Sequence, residues 1–173
     1  PLGLVRRHVL PNALAPLAGL ILAEAGAEVT KVERPEGEEI RKYVPRWGSE
    51  SIQYNMLNRG KRSITVDLKD KAARARLEPM IQEADILIEQ FRPGVMARLG
   101  LDYDTVRKIR PDIVYCSITG YGQHGPKANV AGHDLNYIAE TGLLSLSFGN
   151  TSKTVVPPAL VADIGGGTMP TVI

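Results

Sequence analysis

Residues 14–33 read LAPLAGLILAEAGAEVTKVE, and this stretch decides the fold class. Its first part, Leu14–Ala25, is rich in Ala and Leu and ends at Gly26, which is typical of a helix closed by a glycine cap. Its second part, Glu28–Glu33, alternates polar with apolar or β-branched residues, which is typical of a strand. A helix that leads directly into a strand is a unit from which parallel sheets are built.

The same alternation continues along the chain. The predicted elements are a helix over Ser51–Asn58, a strand over Ser63–Asp67, an amphipathic helix with apolar positions Ala73, Leu77, Met80, Ile81 and Ala84 that Pro79 kinks, a buried strand over Ile86–Ile88, a helix over Tyr103–Ile109 and a strand over Ile113–Ile118. Short, continuously apolar strands between helices favour an α/β fold, a parallel sheet with helices on both faces.

Composition limits the function classes. The 173 residues are 43% hydrophobic and carry a net charge of +2, so we expect one folded domain without bulk affinity for nucleic acid or anionic membranes. The longest uncharged stretch, Val9–Ala23, is shorter than a membrane span and contains prolines. Cys116 is the single cysteine, which fits a reducing compartment, and we expect a cytoplasmic protein.

Ligands of parallel sheets gather at the carboxyl ends of strands. In this chain those ends carry Glu33-Arg34-Pro35, Gln90-Phe91-Arg92-Pro93 and Thr119-Gly120-Tyr121-Gly122. Residues 120–125 also fit the pattern G-x-G-x-x-G, but Pro126 interrupts the expected helix start, so we favour a flexible loop over dinucleotide binding. The three histidines have no Cys or His partner at metal-ligand spacing, so no metal site is predicted.

Two ionisable residues stand out by context. Asp163 lies between an apolar run and three glycines, where it is either a helix N-cap or a carboxylate presented to a ligand. His133 lies in Gly132-His133-Asp134, where it is either a loop histidine bonded to backbone or a functional base. Asp134 is expected to cap the helix that follows.

Six strings, in order, resemble the class III CoA-transferases (CaiB/BaiF type), the family that also contains the α-methylacyl-CoA racemases. The resemblance covers residues 17–173 and rests on Ala27–Pro35 (AEVTKVERP), Asn58–Ser63 (NRGKRS), Asp67–Lys69 (DLK), Glu89–Gly94 (EQFRPG), Gly120–Pro126 (GYGQHGP) and Ala131–Asp134 (AGHD).

The resemblance implies a Rossmann-like large domain, an interlocked homodimer, and a CoA thioester that serves as substrate and not as a tightly bound cofactor. By position, the expected CoA contacts are Arg34, Gln90, Phe91, Arg92 and Arg98. An aromatic ring suits adenine, and guanidinium groups suit phosphates. For Arg98 a solvated helix position is the alternative.

The resemblance also implies roles for His133 and Asp163, which are 30 residues apart, as in the family's racemases. In a racemase, such a pair moves the α-proton of a 2-methylacyl-CoA. In a transferase, an aspartate at the position of Asp163 attacks the thioester and passes CoA between carboxylic acids through an anhydride and a thioester. We favour the racemase chemistry, with CoA transfer and an inactive fragment that keeps partial CoA binding as the alternatives.

The resemblance fails at both ends of the chain. Residues 1–16 form an atypical N-terminal segment that does not reproduce the family's first strand, and residues 17–173 correspond to the N-terminal portion of the large domain. Family members continue for about as long again, and the missing part closes the site over the thioester. We therefore expect the chain by itself to be inactive or nearly so.

Overall fold

The computed structural model describes residues 8–10, 14–146 and 153–173. In chain order, the elements are β1 (His8–Leu10), α1 (Leu14–Glu24), β2 (Val29–Glu33), a 3₁₀ turn (Glu39–Lys42), β3 (Arg46–Trp47), β4 (Glu50–Ser51), α2 (Ile52–Asn58), β5 (Arg62–Thr65), α3 (Lys71–Ala75), α4 (Glu78–Gln82), β6 (Ile86–Glu89), α5 (Val95–Leu99), α6 (Tyr103–Ile109), β7 (Val114–Ser117), α7 (Asp134–Glu140), α8 (Leu143–Leu146), a π-helical segment (Ala162–Thr168) and α9 (Met169–Val172).

Parallel strands form the central layer. Strand β2 pairs in parallel with β1 on one side and with β5 on the other, and β6 pairs in parallel with β7. Because β1 also lies alongside β6, the layer runs in the order β5-β2-β1-β6-β7. The strand order reverses between β1 and β6, and at such a reversal the connections leave on opposite sides and open a crevice. The predicted α/β class with a parallel sheet is confirmed.

Strand β1 comes from the segment whose sequence does not resemble the family's first strand. His8, Val9 and Leu10 pair with Val29, Thr30 and Lys31 in parallel register. Residues 1–16 do not reproduce the sequence of the family's first strand, but a strand is present there. Residues 8–10 occupy the central position of the layer. Backbone hydrogen bonds to β2 do not depend on which side chains the strand carries.

Two apolar cores cover the two faces of the layer. On one face Leu87 packs with residues of α4 and α6, and on the other Ile88 packs with residues of α1. Because successive side chains of a strand point to opposite faces, these neighbours in sequence belong to different cores. Helices therefore lie on both sides, as the short apolar strands predict.

Three local features differ from the sequence prediction. The kinked helix before β6 is two short helices, since Pro79 stands in the first turn of α4, where its missing N–H is harmless. Residues 39–42 form a 3₁₀ turn, and residues 95–99 form the short helix α5 after the turn at Gly94. Neither element is among those predicted from the sequence. In the ranges that the structure describes, no helix is long and apolar enough to cross a membrane.

The carboxyl end of β2 is held by buried charges. Glu33 is 6% exposed and accepts hydrogen bonds from Arg41 Nε (2.7 Å) and Nη2 (2.8 Å), from the Tyr54 hydroxyl (2.9 Å) and from Ser63 Oγ (2.6 Å). Burial by itself would raise the pKa of Glu33, but the bonds from Arg41, Ser63 and Tyr54 outweigh it and lower the pKa to about 2. Glu33 therefore ties the 3₁₀ turn, α2 and β5 to the end of β2.

We expect Glu33→Gln to lower the free energy of unfolding at pH 7 by about 3 kcal/mol, because it leaves Arg41 without its buried partner. The carboxyl group of Glu33 has a lower pKa in the folded protein than its ordinary value of 4.5. Its contribution is therefore full above about pH 4.5 and is lost as the pH falls toward 2. Urea unfolding of both proteins between pH 7 and pH 2.5 measures this difference.

The matched control is Glu39→Gln, which removes an exposed carboxylate from the same turn. It should leave the unfolding midpoint almost unchanged, since exposed ion pairs contribute little. Equal losses for the two variants, or a Glu33→Gln difference that does not shrink at low pH, would contradict the assigned role of Glu33.

Candidate functional site

The strand ends at the order reversal meet helix α1. Gln90 follows β6 directly, and its side-chain Oε1 accepts a hydrogen bond from the backbone N–H of Ala15, at 3.0 Å, in the first turn of α1. A carbonyl oxygen at this place satisfies one of the amides that a helix start leaves unpaired. Gln90, predicted as a CoA contact, thus joins the β6 end to α1 across the crevice.

Arg34 lies directly after β2 and is exposed. Its Nε donates to the carbonyl of Gly37 at 2.7 Å, and its Nη2 is ion-paired with Glu39. Both partners belong to the loop that Glu33 anchors to the strand end. The structure therefore places the Arg34 guanidinium at the carboxyl edge of the sheet, as predicted.

The turn after β6 is organised by Glu89, which the sequence analysis did not single out. Glu89 is 4% exposed; its Oε2 accepts from the Phe91 N–H at 2.7 Å, and its Oε1 accepts from Ser117 Oγ at the end of β7. Burial raises the pKa of Glu89, although these two bonds act in the opposite direction. Phe91 is half-buried and lines an apolar cavity of about 30 Å³ together with Met96.

Arg92 and Arg98 flank the same turn and are exposed. Gly94 has φ +77°, a left-handed conformation that suits glycine, and a Cβ placed on it would lie 3.4 Å from Arg98 Nη1. The Arg98 side chain therefore folds back from α5 over the turn that carries Arg92. Arg92 thus belongs to the turn that follows β6, and Arg98 reaches that turn as an exposed helix residue, as its alternative interpretation has it.

Lys61 is a further cation, which lies beside the first turn of α1, and no role was predicted for it. Its Nζ donates to the Pro16 carbonyl at 2.6 Å and to Asn58 Oδ1 at 3.2 Å. Burial, together with the nearby charge of Lys31, lowers the pKa of Lys61 to about 7. Lys61 is part of the string Asn58-Arg59-Gly60-Lys61, but that string predicts only a turn and not a half-buried lysine.

His133 and Asp163 belong to segments that are in contact, because Asp134, which follows His133, accepts a hydrogen bond from the Asp163 N–H. His133 is exposed at the start of α7, and its backbone N–H donates to Asn136 Oδ1 at 3.0 Å. Asp163 is half-buried in the π-helical segment. Burial, and then the charge of Asp134, raise the pKa of Asp163, while His133 is near enough to lower it in part.

The two local expectations about capping are wrong. Asp163 is the second residue of the π-helical segment, with Val161 at the N-cap position, so it does not cap that segment. Asp134 is the first residue of α7 and does not cap α7 either. Its side chain is 5% exposed, and its Oδ1 accepts from the backbone N–H groups of Ala162, at 2.7 Å, and of Asp163, at 3.0 Å.

The glycine-rich loop after β7 packs on α7 through aromatic rings. A Cβ at Gly132 would lie 2.7 Å from the Tyr137 ring, and the rings of Tyr121 and Tyr137 meet edge to face with centroids 5.2 Å apart. The Tyr121 hydroxyl donates to Glu140 at 3.0 Å. Burial, and then the charge of Asp163, raise the pKa of Tyr137.

The described ranges contain neither a cluster of metal-ligand residues nor a helix start directly after the glycine-rich loop. No group of three or more His, Cys, Asp or Glu side chains there could hold a metal ion. Between β7 and α7 no helix follows the G-x-G-x-x-G stretch, so its backbone lacks the helix start that holds a pyrophosphate in dinucleotide-binding folds.

Comparison with known proteins covers nearly the whole chain. The profile of CoA-transferase family III matches residues 11–172. An acetyl-CoA:oxalate CoA-transferase of Acetobacter aceti is 39% identical over 92% of the chain and 41% of its own length. An α-methylacyl-CoA racemase of Mus musculus is 40% identical over 90% of the chain and 37% of its own length.

The fold agrees with these sequence matches. A crystal structure of a CAIB/BAIF family protein from Brucella suis superposes with a TM-score of 0.88 at 32% identity, over 98% of this chain and 47% of that one. The chain thus spans less than half the length of the proteins that it matches. From its motifs, its sheet and these similarities together, the chain belongs to CoA-transferase family III.

Proposed function

We propose that the chain carries the acyl-CoA site of a family III enzyme and that His133 and Asp163 move the α-proton of a 2-methylacyl-CoA. The observation that carries this proposal is the half-buried Asp163, with a raised pKa, beside His133. General acid–base catalysis is most effective when the pKa of the base lies near the working pH. Burial shifts the pKa of Asp163 in that direction, and His133 supplies the second group of the pair.

The reaction balances without a further reagent. One base removes the α-proton, and the electron pair of the C–H bond moves into the thioester to give an enolate. The conjugate acid of the other base donates a proton to the opposite face of the α-carbon. The product differs from the substrate only in configuration, and the two bases have exchanged their protonation states.

CoA transfer is the second candidate, and the names of several similar proteins favour it. A succinate–glutarate CoA-transferase of Agrobacterium fabrum is 38% identical over 96% of the chain, in addition to the oxalate enzyme. Asp163 would attack the thioester carbonyl carbon and expel the CoA thiolate, which leaves a mixed anhydride. The thiolate would then attack the Asp163 acyl carbon and release the donor carboxylate, and the acceptor acid would reverse both steps.

For CoA itself we propose the edge formed by Arg34, Gln90, Phe91, Arg92 and Arg98. Three arginines that follow β2 and β6, the strands on either side of β1, suit the phosphates of CoA, which bind and leave as part of the substrate. An interlocked homodimer and the assignment of residues 17–173 to a partial large domain remain predictions from the family resemblance. A cytoplasmic location remains a prediction from the single cysteine.

Incubation of a (2R)-2-methylacyl-CoA with the chain in deuterated water tests the main proposal. The proposal requires deuterium at the α-carbon and loss of stereochemical purity, and His133→Ala and Asp163→Asn should each slow exchange by about 10²–10⁴-fold. No exchange would instead support the expectation, from the family resemblance, that the chain by itself is inactive or nearly so. The matched control is His124→Ala, which removes a histidine from the glycine-rich loop. Mass spectrometry of the acyl-CoA gives the rates.

The same preparation distinguishes the alternatives when a free carboxylic acid is added. Transfer of CoA to that acid without α-exchange, abolished by Asp163→Asn and kept by His133→Ala, would replace proton transfer with CoA transfer as the function. If the chain binds CoA but catalyses neither reaction, the remaining hypothesis is an inactive fragment that keeps partial CoA binding.

Calorimetric titration with CoA tests the binding edge. Arg34→Ala, Arg92→Ala and Arg98→Ala should each weaken binding by about 10-fold or more, since each removes a charged hydrogen-bond donor from a phosphate. The affinity of the unaltered chain should fall as salt is raised. Arg107→Ala, an exposed arginine of α6 paired with Asp104, is the control and should leave the affinity unchanged. Equal affinities for all four variants would contradict the proposed edge.

A further inference from the structure

Asp134 connects the two residues of the proposed acid–base pair. It follows His133 directly in sequence, and its Oδ1 accepts a hydrogen bond from the backbone N–H of Asp163 itself and a second one from Ala162. Consecutive Cα atoms are about 3.8 Å apart. One short side chain therefore spans from the backbone beside His133 to the backbone of Asp163.

The contact does not follow from capping within one helix. The two amides lie at the start of the π-helical segment, where N–H groups have no partner inside the segment. Their acceptor comes from α7, 28 and 29 residues earlier in the chain. An acceptor of this kind couples the position of one element to the other, which a local cap cannot do.

Because the Asp134 side chain is buried, its two hydrogen bonds fix the position of the π-helical segment against α7. The Asp134 side chain is 5% exposed, and Ile138, one turn later on α7, is fully buried. A buried carboxylate that lost these two donors would keep its desolvation penalty without compensation. The start of the π-helical segment is therefore held at a fixed place against the first turn of α7.

We propose that Asp134 is a positioning residue, which holds Asp163 in register with His133 through its bonds to the N–H groups of residues 162 and 163. The inference rests on the proposed acyl-CoA chemistry of that pair, but its structural part is independent of it. Asp134 acts through Asp163 and does not contact the reacting atoms. A base that is displaced by about 1 Å can lose about 100-fold in rate.

Three variants separate positioning from a general loss of stability. Asp134→Ala removes both acceptors. Asp134→Asn keeps an Oδ1 that can accept both N–H groups, so it is the rescuing variant. Ile138→Ala is the matched control, because it destabilises the same helix through packing alone.

Amide hydrogen exchange of the chain, followed by NMR, is the first measurement. At residues 162 and 163, Asp134→Ala should raise the exchange rates at least 10-fold, whereas Asp134→Asn should keep them within about 3-fold of the unaltered chain. Ile138→Ala should not single out these two amides. Unchanged protection in Asp134→Ala, or the same loss in Asp134→Asn, would overturn the proposal.

Turnover is the second measurement, in whichever of the two acyl-CoA reactions the chain catalyses. Asp134→Ala should lower kcat about 10–100-fold while KM stays within about 3-fold, Asp134→Asn should recover most of that loss, and Ile138→Ala should leave kcat nearly unchanged. Equal kcat losses in Asp134→Ala and Ile138→Ala would show a merely structural role. If the unaltered chain catalyses neither reaction, the proposed function fails, and the exchange rates at residues 162 and 163 still decide whether Asp134 holds Asp163.

Discussion

Strand β2 is buried at all five residues, although it carries a lysine and a glutamate. Buried charges must be paired and hydrogen-bonded, or folding would not overcome their desolvation. Lys31 is paired with Glu38 and donates to Asn58 Oδ1 at 3.1 Å, while Glu33 receives the donors of Arg41, Tyr54 and Ser63. The segment that follows β2 is therefore tied back to that strand through the 3₁₀ turn and α2, and it begins with Arg34 at the carboxyl end of β2.

The elements that could be predicted from the sequence are those whose signal is local. Glycine-capped helix α1, strand β2 and helix α6 have periodicity and stop signals within a few residues, and the structure has them near the predicted bounds. Strand β1 is three residues long, too short for periodicity to show, and its place in the sheet depends on pairing with β2.

The candidate site residues could be named from the sequence, but the hydrogen bonds that connect them could not. The strand ends and the family strings single out His133, Asp163 and the arginines, because those residue types recur at recognisable spacings. Asp134 was expected to cap its own helix, since capping rules consider only the next three residues. Its partners lie 28 and 29 residues away, and only the packing of the π-helical segment on α7 brings them into reach. The role of Glu89 could not be predicted for the same reason, because its bond to Ser117 requires β7 to lie beside β6.

The two candidate reactions require different states of Asp163. An attacking nucleophile must be an ionised carboxylate, whereas a base in proton transfer works best with a pKa close to the working pH. Burial and the fixed charge of Asp134 raise the pKa of Asp163, and His133 opposes them. Besides its proposed role as a base, His133 therefore acts against the pKa shift that burial and Asp134 produce at Asp163. In either proposed reaction, the hydrogen bond from the Asp163 N–H to Asp134 would hold the backbone of Asp163 in the same place.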